Sequence, residues 1–206
     1  MINLFIDTSS TDVSIALVSN GKILSEKIGS AKNQHSIYTT SFLDQVLKGA
    51  KIDPSDVDRI MVVNGPGSFT GIRIGVTIAK VYAYLLEKDV ICVSSLKMRA
   101  VSLEHGYCMS LIDAHHGNYY MGLYDKNNDD VVGEQFVSKD RVMELINEYN
   151  PVIVSDNDTM VDDIFVKGQE LDIAKIVDYY KDSEIINSHL VVPNYLKLPQ
   201  ALENLK

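Results

Sequence analysis

Apolar residues alternate with polar or small ones at Val13, Ile15 and Leu17, after an apolar run at residues 4–6. A period of two marks a strand with one buried face. Asn20-Gly21 follows, the pair best suited to a tight hairpin turn, and residues 22–28 supply the returning strand. The period then changes. Thr39, Phe42, Leu43, Val46, Leu47 and Ala50 recur at steps of three and four, which predicts an amphipathic helix over residues 34–49. Asp53-Pro54 ends it. A strand over residues 57–63, a glycine-rich corner, a helix to about residue 87 and a strand over 90–93 complete the first half. Ser94-Ser95 offers a cap for another helix, expected to run to about residue 105 and to close at Gly106.

The pattern then restarts. Asp113 falls 106 residues after Asp7, each at the end of an apolar run. Val13, Ile15 and Leu17 correspond to Tyr119, Met121 and Leu123, and the Asn20-Gly21 turn is echoed by Asn127-Asn128-Asp129-Asp130. A strand over 131–137 follows, then a helix with Val142, Leu145, Ile146 and Tyr149 on one face, then a strand over 152–154. This is a βββαβα unit used twice, the second copy more degraded. It predicts an α/β protein of two lobes, residues 1–105 and 106–206. After Gly168 the pattern does not decide, and residues 175–180 suit a strand or a helix.

Composition narrows the class. Hydrophobic residues make up 46% of the 206 and charged residues 23%, as in an ordinary globular protein large enough for a sizeable core. No apolar run is expected to span a bilayer, and the N-terminus reads as a core strand, without the basic start of a signal peptide. Cys92 and Cys108 show no C-x-x-C pairing, which suits reduced, buried thiols in a cytoplasmic protein. The net charge of −9 makes the chain a poor grip for phosphate backbones. Any action on nucleic acid should rely on a partner for most of the binding surface.

The candidate chemistry sits at the corner Asn64-Gly65-Pro66-Gly67-Ser68-Phe69-Thr70-Gly71-Ile72-Arg73-Ile74-Gly75. Glycines let another backbone or a phosphate come close, and a helix N-terminus attracts anions. The corner is neither a Walker loop nor G-x-G-x-x-G. A phosphate loop and a plain strand–turn–helix corner both fit. Asp7, Thr8 and Ser9 end the first strand, and with Gly65 and Gly67 they are the candidate nucleotide or phosphate residues; the alternative is a capped turn. His115-His116 could hold a metal only through a bend at Gly117, because strand neighbours face opposite ways. No serine–histidine–acid spacing supports a hydrolase triad. The helix after the corner carries Gly71, Gly75, Ala79 and Ala83 in one row, with Ile74, Ile78, Tyr82 and Leu85 as a second stripe. Small residues in a row admit close packing, and apolar surface on two sides suits a helix that also meets a partner.

The corner, with Val76-Thr77-Ile78-Ala79-Lys80 after it, resembles the signature of the TsaB (YeaZ) family. Ile6-Asp7-Thr8-Ser9, Gln34-His35-Ser36, Ile112-Asp113-Ala114 and Pro193-Asn194-Tyr195-Leu196-Lys197 extend the resemblance over most of the chain. It implies two RNase H-like lobes in the actin-like ATPase and sugar-kinase architecture, the second reduced. It also implies an accessory, non-catalytic subunit of the machinery that makes threonylcarbamoyladenosine next to the tRNA anticodon. The implied partners are a TsaD-like transferase and a TsaE-like ATPase, with a TsaC-like enzyme making the adenylate, a homodimer when alone, and tRNA only through the complex. No cofactor is implied. TsaD-like proteins carry two metal-binding histidines four apart after the strand that here spans residues 90–93. Ser95 and Arg99 stand at those positions, and an arginine cannot ligate a metal. The resemblance places pairing on the two helices, with His35, Thr39, Phe42, Arg73, Thr77 and Tyr82 as candidate contacts. The rival expectation is a stand-alone nucleotide-dependent enzyme of the actin-like superfamily acting through Asp7, Thr8 and the corner.

Overall fold

The computed structural model describes residues 1–31 and 34–197. The first half opens with an antiparallel meander of β1 (Ile2–Asp7), β2 (Asp12–Ser19) and β3 (Lys22–Ser30). The Asn20-Gly21 turn joins the last two, with φ of 51° and 70°. Helix α1 (His35–Ala50) and a 3-10 turn at Pro54–Asp56 lead into β4 (Arg59–Gly65), and α2 (Phe69–Leu86) leads into β5 (Asp89–Ser94). The sheet runs β3-β2-β1-β4-β5, with β4 parallel to β1 and β5 parallel to β4. Its faces follow the period of two. Leu4, Ile6, Ile15 and Val62 pack under α1 and α2, whereas Phe5, Ala16, Met61 and Val63 face the other way.

A short helix α3 (Lys97–Val101) passes to the second half, β6 (Cys108–Asp113), β7 (Asn118–Tyr124), β8 (Asp130–Ser138), α4 (Lys139–Tyr149) and β9 (Val152–Ser155). Here the order is β8-β7-β6-β9. β6 pairs antiparallel with β7 and parallel with β9, as β1 pairs with β2 and β4. The repeat expected from sequence is therefore a repeat of topology. Where the first unit continues into α2 and β5, the second substitutes a hairpin, β10 (Thr159–Val161) and β11 (Ile164–Val166). Val161 and Val166 close that core beside α4's Val142 and Leu145.

Residues 175–180, which by pattern suit a strand or a helix, belong to helix α5 (Ile173–Tyr180), whose first turn Asp172 caps by accepting from Lys175 N at 3.0 Å. Ile173, Ile176, Val177 and Tyr180 pack on Phe5, Met61 and Val93 of the first sheet. We propose the division at residues 105 and 106 as one between sheets, with α5 counted with the first. Residues 198–206 of the expected second lobe lie outside the described residues.

Two expectations need correction. The helix expected to run to residue 105 is five residues long. Ser94 does cap it, its Oγ accepting from Leu96 N and Lys97 N at 3.1 Å. The helix ends early because it is wedged between the sheets: Met98 and Val101 bury against the first, Leu96 and Ala100 against the second. Ser94 also donates to Glu134 Oε1 of β8, which Tyr124 Oη joins at 3.0 Å, so a polar bridge backs the apolar wedge. Second, α2 is long and apolar enough, by length and composition, to cross a membrane. Only a third of it is buried: the row Gly71, Ile72, Gly75, Val76, Ala79 and Ala83 lies on the sheet, and Phe69, Val81, Tyr84 and Leu85 add apolar side chains on its exposed surface.

That row sets the position of α2. A Cβ on Gly71 would stand 2.0 Å from the Thr8 carbonyl oxygen, and one on Gly75 would stand 2.4 Å from Thr8 Oγ1. Thr8 Oγ1 in turn donates to the Gly71 carbonyl at 2.7 Å. Gly71→Ala should force the helix off the strand end, at a cost of about 3 kcal/mol or more, seen as a thermal midpoint lower by about 6–12 °C. Gly106→Ala, where an added Cβ meets nothing within 4 Å, should change stability by less than about 0.5 kcal/mol. Equal midpoints for the two variants would show that the contact does not position the helix.

Candidate partner face and interlobe cleft

The glycine corner is built from the chain's own backbone. β4 ends in a cis Gly65–Pro66 bond. Gly65 and Gly67 have φ of 125° and 149°, a region L side chains rarely adopt. Close approach excludes side chains as well: a Cβ on Gly65 would meet the Asn194 carbonyl at 2.6 Å, and one on Gly67 the Ser9 carbonyl at 2.4 Å. Ser68 N donates to that Ser9 carbonyl at 2.7 Å, and Ser68 Oγ caps α2 by accepting from Gly71 N at 3.2 Å. Ser95 Oγ donates to the Pro66 carbonyl. The Pro193–Lys197 motif lies across the same corner. Asn194 N donates to the Asn64 carbonyl at 2.7 Å, Asn64 Nδ2 to the Val192 carbonyl at 3.0 Å, and the Phe69 and Tyr195 rings stack at 5.3 Å.

The five phosphate candidates are divided between the packed corner and two clefts that share Ser10 and Asp156. Thr8 and Gly65 are buried and held by internal contacts. Ser9 and Gly67 line one cleft, of about 680 Å³, with His35 and Asp113. Asp7 lines another, of about 510 Å³, with Arg99 and Asp156. Asp7 Oδ1 accepts from Ser9 N at 2.8 Å, yet burial dominates and pushes its carboxyl above the usual range. Ser95 and Arg99 do not share a helix face. Ser95 precedes α3 and is tied to the corner, while the Arg99 side chain lies buried in the cleft. His115, His116 and Gly117 make a left-handed turn, φ 63°, 55° and 72°, with His115 Nδ1 3.6 Å from Asp113 Oδ2. Among the described residues no group of three or more His, Cys, Asp or Glu is placed to hold a metal.

The outer face of the helix pair is the other site. Between α1 and α2 lies an apolar groove of about 450 Å³, lined by Ser36, Thr40, Phe69, Arg73, Ile74 and Thr77 among others. The Arg73 guanidinium sits 5.1 Å from the Phe69 ring centre. Ile37, Val81, Tyr84 and Leu85 add exposed apolar surface, 53–69% open to solvent. Of the six contacts expected from sequence, Arg73 and Thr77 are on this face. Thr39 and Phe42 are not: both are buried, Phe42 in the core under the sheet and Thr39 donating to the His35 carbonyl. They belong to the stripe that binds α1 to its own sheet. His35 Nε2 turns to the Ser10 carbonyl at 2.9 Å. Tyr82 is half-buried and donates to the Pro54 carbonyl at 3.0 Å, its hydroxyl pushed up to about 12 by burial. Sequence reading missed Val81 and Tyr84. They lie opposite the Gly71–Ala83 row, in line with Arg73 and Thr77, and an apolar pair so placed was the available signal.

Comparison with known proteins agrees with this architecture. The family model for tRNA N6-adenosine threonylcarbamoyltransferase, TsaD, matches residues 22–202. The tRNA threonylcarbamoyladenosine biosynthesis protein TsaB of Bacillus subtilis is 32% identical, over 98% of this chain and 96% of that protein. A transferase of Fusobacterium nucleatum is 34% identical over 74% of this chain, but the match takes in only 53% of the transferase. YeaZ from Pseudomonas aeruginosa superposes with a TM-score of 0.76 at 21% identity, covering 95% of this chain and 99% of that one. The transferase thus matches over part of its length, whereas TsaB and YeaZ match nearly end to end. With its two βββαβ units and the corner in place, the chain belongs to the TsaB family.

Proposed function

We propose that this chain is an accessory subunit for making threonylcarbamoyladenosine in tRNA, in the cytoplasm, and that it acts by docking. Its partner is a TsaD-like transferase, with a TsaE-like ATPase as a third component. The observation that carries this reading is the two-sidedness of α2. Its small row is buried on the sheet, and its opposite side offers Phe69, Val81, Tyr84 and Leu85 to solvent. Apolar patches of this kind are characteristic of interaction sites. The same patch suits a two-fold pairing of the chain with itself when the partner is absent, since a surface made for a related fold can meet its own copy. Contact with tRNA runs through the complex, in keeping with the charge of −9.

We also read the chain as non-catalytic. Thr8 and Gly65 are covered by backbone, and Arg99 stands where the family resemblance puts a metal-binding histidine in the transferase. Both count against the rival reading of a stand-alone nucleotide-dependent enzyme. The purified chain should neither hydrolyse ATP nor modify tRNA by itself. Turnover that disappears with Asp7→Ala would favour the rival.

The docking reading is tested by co-purification of the full chain with a TsaD-like transferase. Wild type should retain it. Thr77→Glu and Val81→Glu should each weaken the complex by about 100-fold, because an unpaired charge at a buried contact costs several kcal/mol. Phe165→Glu, an equally exposed apolar site on the β10–β11 hairpin, should leave the complex intact. Phe42→Glu would report on folding alone. If the two helix variants bind like wild type, the face is not the docking site.

A further inference from the structure

Arg99 is 2% exposed and makes a single side-chain hydrogen bond, from Nη1 to the Ser155 carbonyl at 3.4 Å. Its Nε is buried without a partner. Gln169 donates from Nε2 to the Arg99 carbonyl at 3.0 Å, and its own Oε1 is buried and unpaired. Native proteins seldom leave buried polar groups in this state, least of all a charged one. Asp7 and Asp156 are near enough to act on the guanidinium, yet neither comes within the 4.0 Å of an ion pair.

Arg99 lines the 510 Å³ cleft on the side of the first sheet away from α1 and α2. The cleft has three kinds of wall. Arg99 is its cationic element. Asp7, Asp12, Glu26, Asp156 and Glu170 contribute carboxyl groups, and Ile23, Ile28, Leu171 and Ile173 contribute apolar surface. A ligand matched to it carries an acceptor for Arg99, a cation a short distance away and an aliphatic body. Phosphates and nucleotides fail, because the acidic wall repels a multiply charged anion. A bare amine or metal ion suits the acidic wall but carries no acceptor, and so leaves the buried Arg99 Nε unpaired. An α-amino acid carries on one carbon both an acceptor for Arg99 and an ammonium for Asp7 and Asp156, which line the same cleft.

We propose that the cleft at Arg99 binds a free α-amino acid with a small aliphatic side chain. Its carboxylate accepts from Arg99, its ammonium donates to Asp7 and Asp156, and its side chain lies on Ile23, Ile28 and Leu171. The site is independent of the docking reading, which concerns the other face of the sheet.

Calorimetric titration of the full chain with valine tests this, beside isovalerate, which lacks the ammonium, isobutylamine, which lacks the carboxylate, and inorganic phosphate. Valine should bind, and each analogue should bind about ten-fold more weakly or worse, since each loses one charge-assisted contact. Arg99→Gln should abolish binding. Because that variant replaces a buried residue, Asp156→Asn, at a partly exposed position, is the second probe and should weaken valine about five-fold or more. Asp178→Asn, on the exposed side of α5, should bind as wild type does. Absence of binding by valine overturns the proposal. So does binding of isobutylamine or phosphate as tight as that of valine, or an Asp156→Asn variant that binds normally.

Discussion

The architecture depends on how closely α2 approaches the end of β1. The helix meets the strand at Gly71 and Gly75, where any side chain would collide with Thr8. The reciprocal bond from Thr8 Oγ1 to the Gly71 carbonyl fixes the contact from the strand side. Cores are packed densely enough that a contact this tight has no slack. With α2 set there, Ser68 reaches the Ser9 carbonyl, Gly65 reaches Asn194, and the corner closes on itself. The glycine-rich segment is thus a packing device. It brings a helix against a strand end and covers Thr8 and Gly65 with backbone, while Ser9 and Gly67 stay on the cleft of about 680 Å³.

That packing determines where function can reside. Placing the small row of α2 inside leaves Val81 and Tyr84 outside, with Phe69 at the helix start beside the stacked Tyr195. A large exposed apolar surface is the cost of the tight helix, unless something covers it. On the other face of the sheet, α3 is wedged between the two halves and carries Arg99 into the cleft beside Asp7 and Asp156. An arginine in that place brings a fixed positive charge on the protein itself. The chain therefore offers a surface on one side of the first sheet and a charged cleft on the other.

Much of the fold was legible because local pattern and tertiary role coincide. Asn20-Gly21 forms its hairpin, the stripe from Thr39 to Ala50 forms α1, and the match of Asp7 with Asp113 reappears as two sheets with the same pairing order. The misses have physical causes. Ser94-Ser95 signals a helix start, but the length of α3 is set by the gap between two sheets, which no local pattern encodes. Residues 175–180 are rich in β-branched and aromatic residues, and only docking on Phe5 and Met61 decides them as helix. At the candidate site, the stripe containing Thr39 and Phe42 was visible, but the side it faces was not. An amphipathic helix shows its apolar face without showing whether its own sheet or a partner covers it. For Arg99 the residue type was informative, and its burial was not legible from sequence.

Side-chain footprinting with hydroxyl radicals, on the chain alone and with a TsaD-like transferase, tests the central claim most directly. The account predicts that Phe69, Tyr84 and Leu85 lose reactivity on complex formation. Met160 and Phe165, comparably exposed on the hairpin of the second half, should keep theirs. Protection of Met160 and Phe165 with no change at Tyr84 and Leu85 would contradict it, and would move the docking surface to the other half of the molecule.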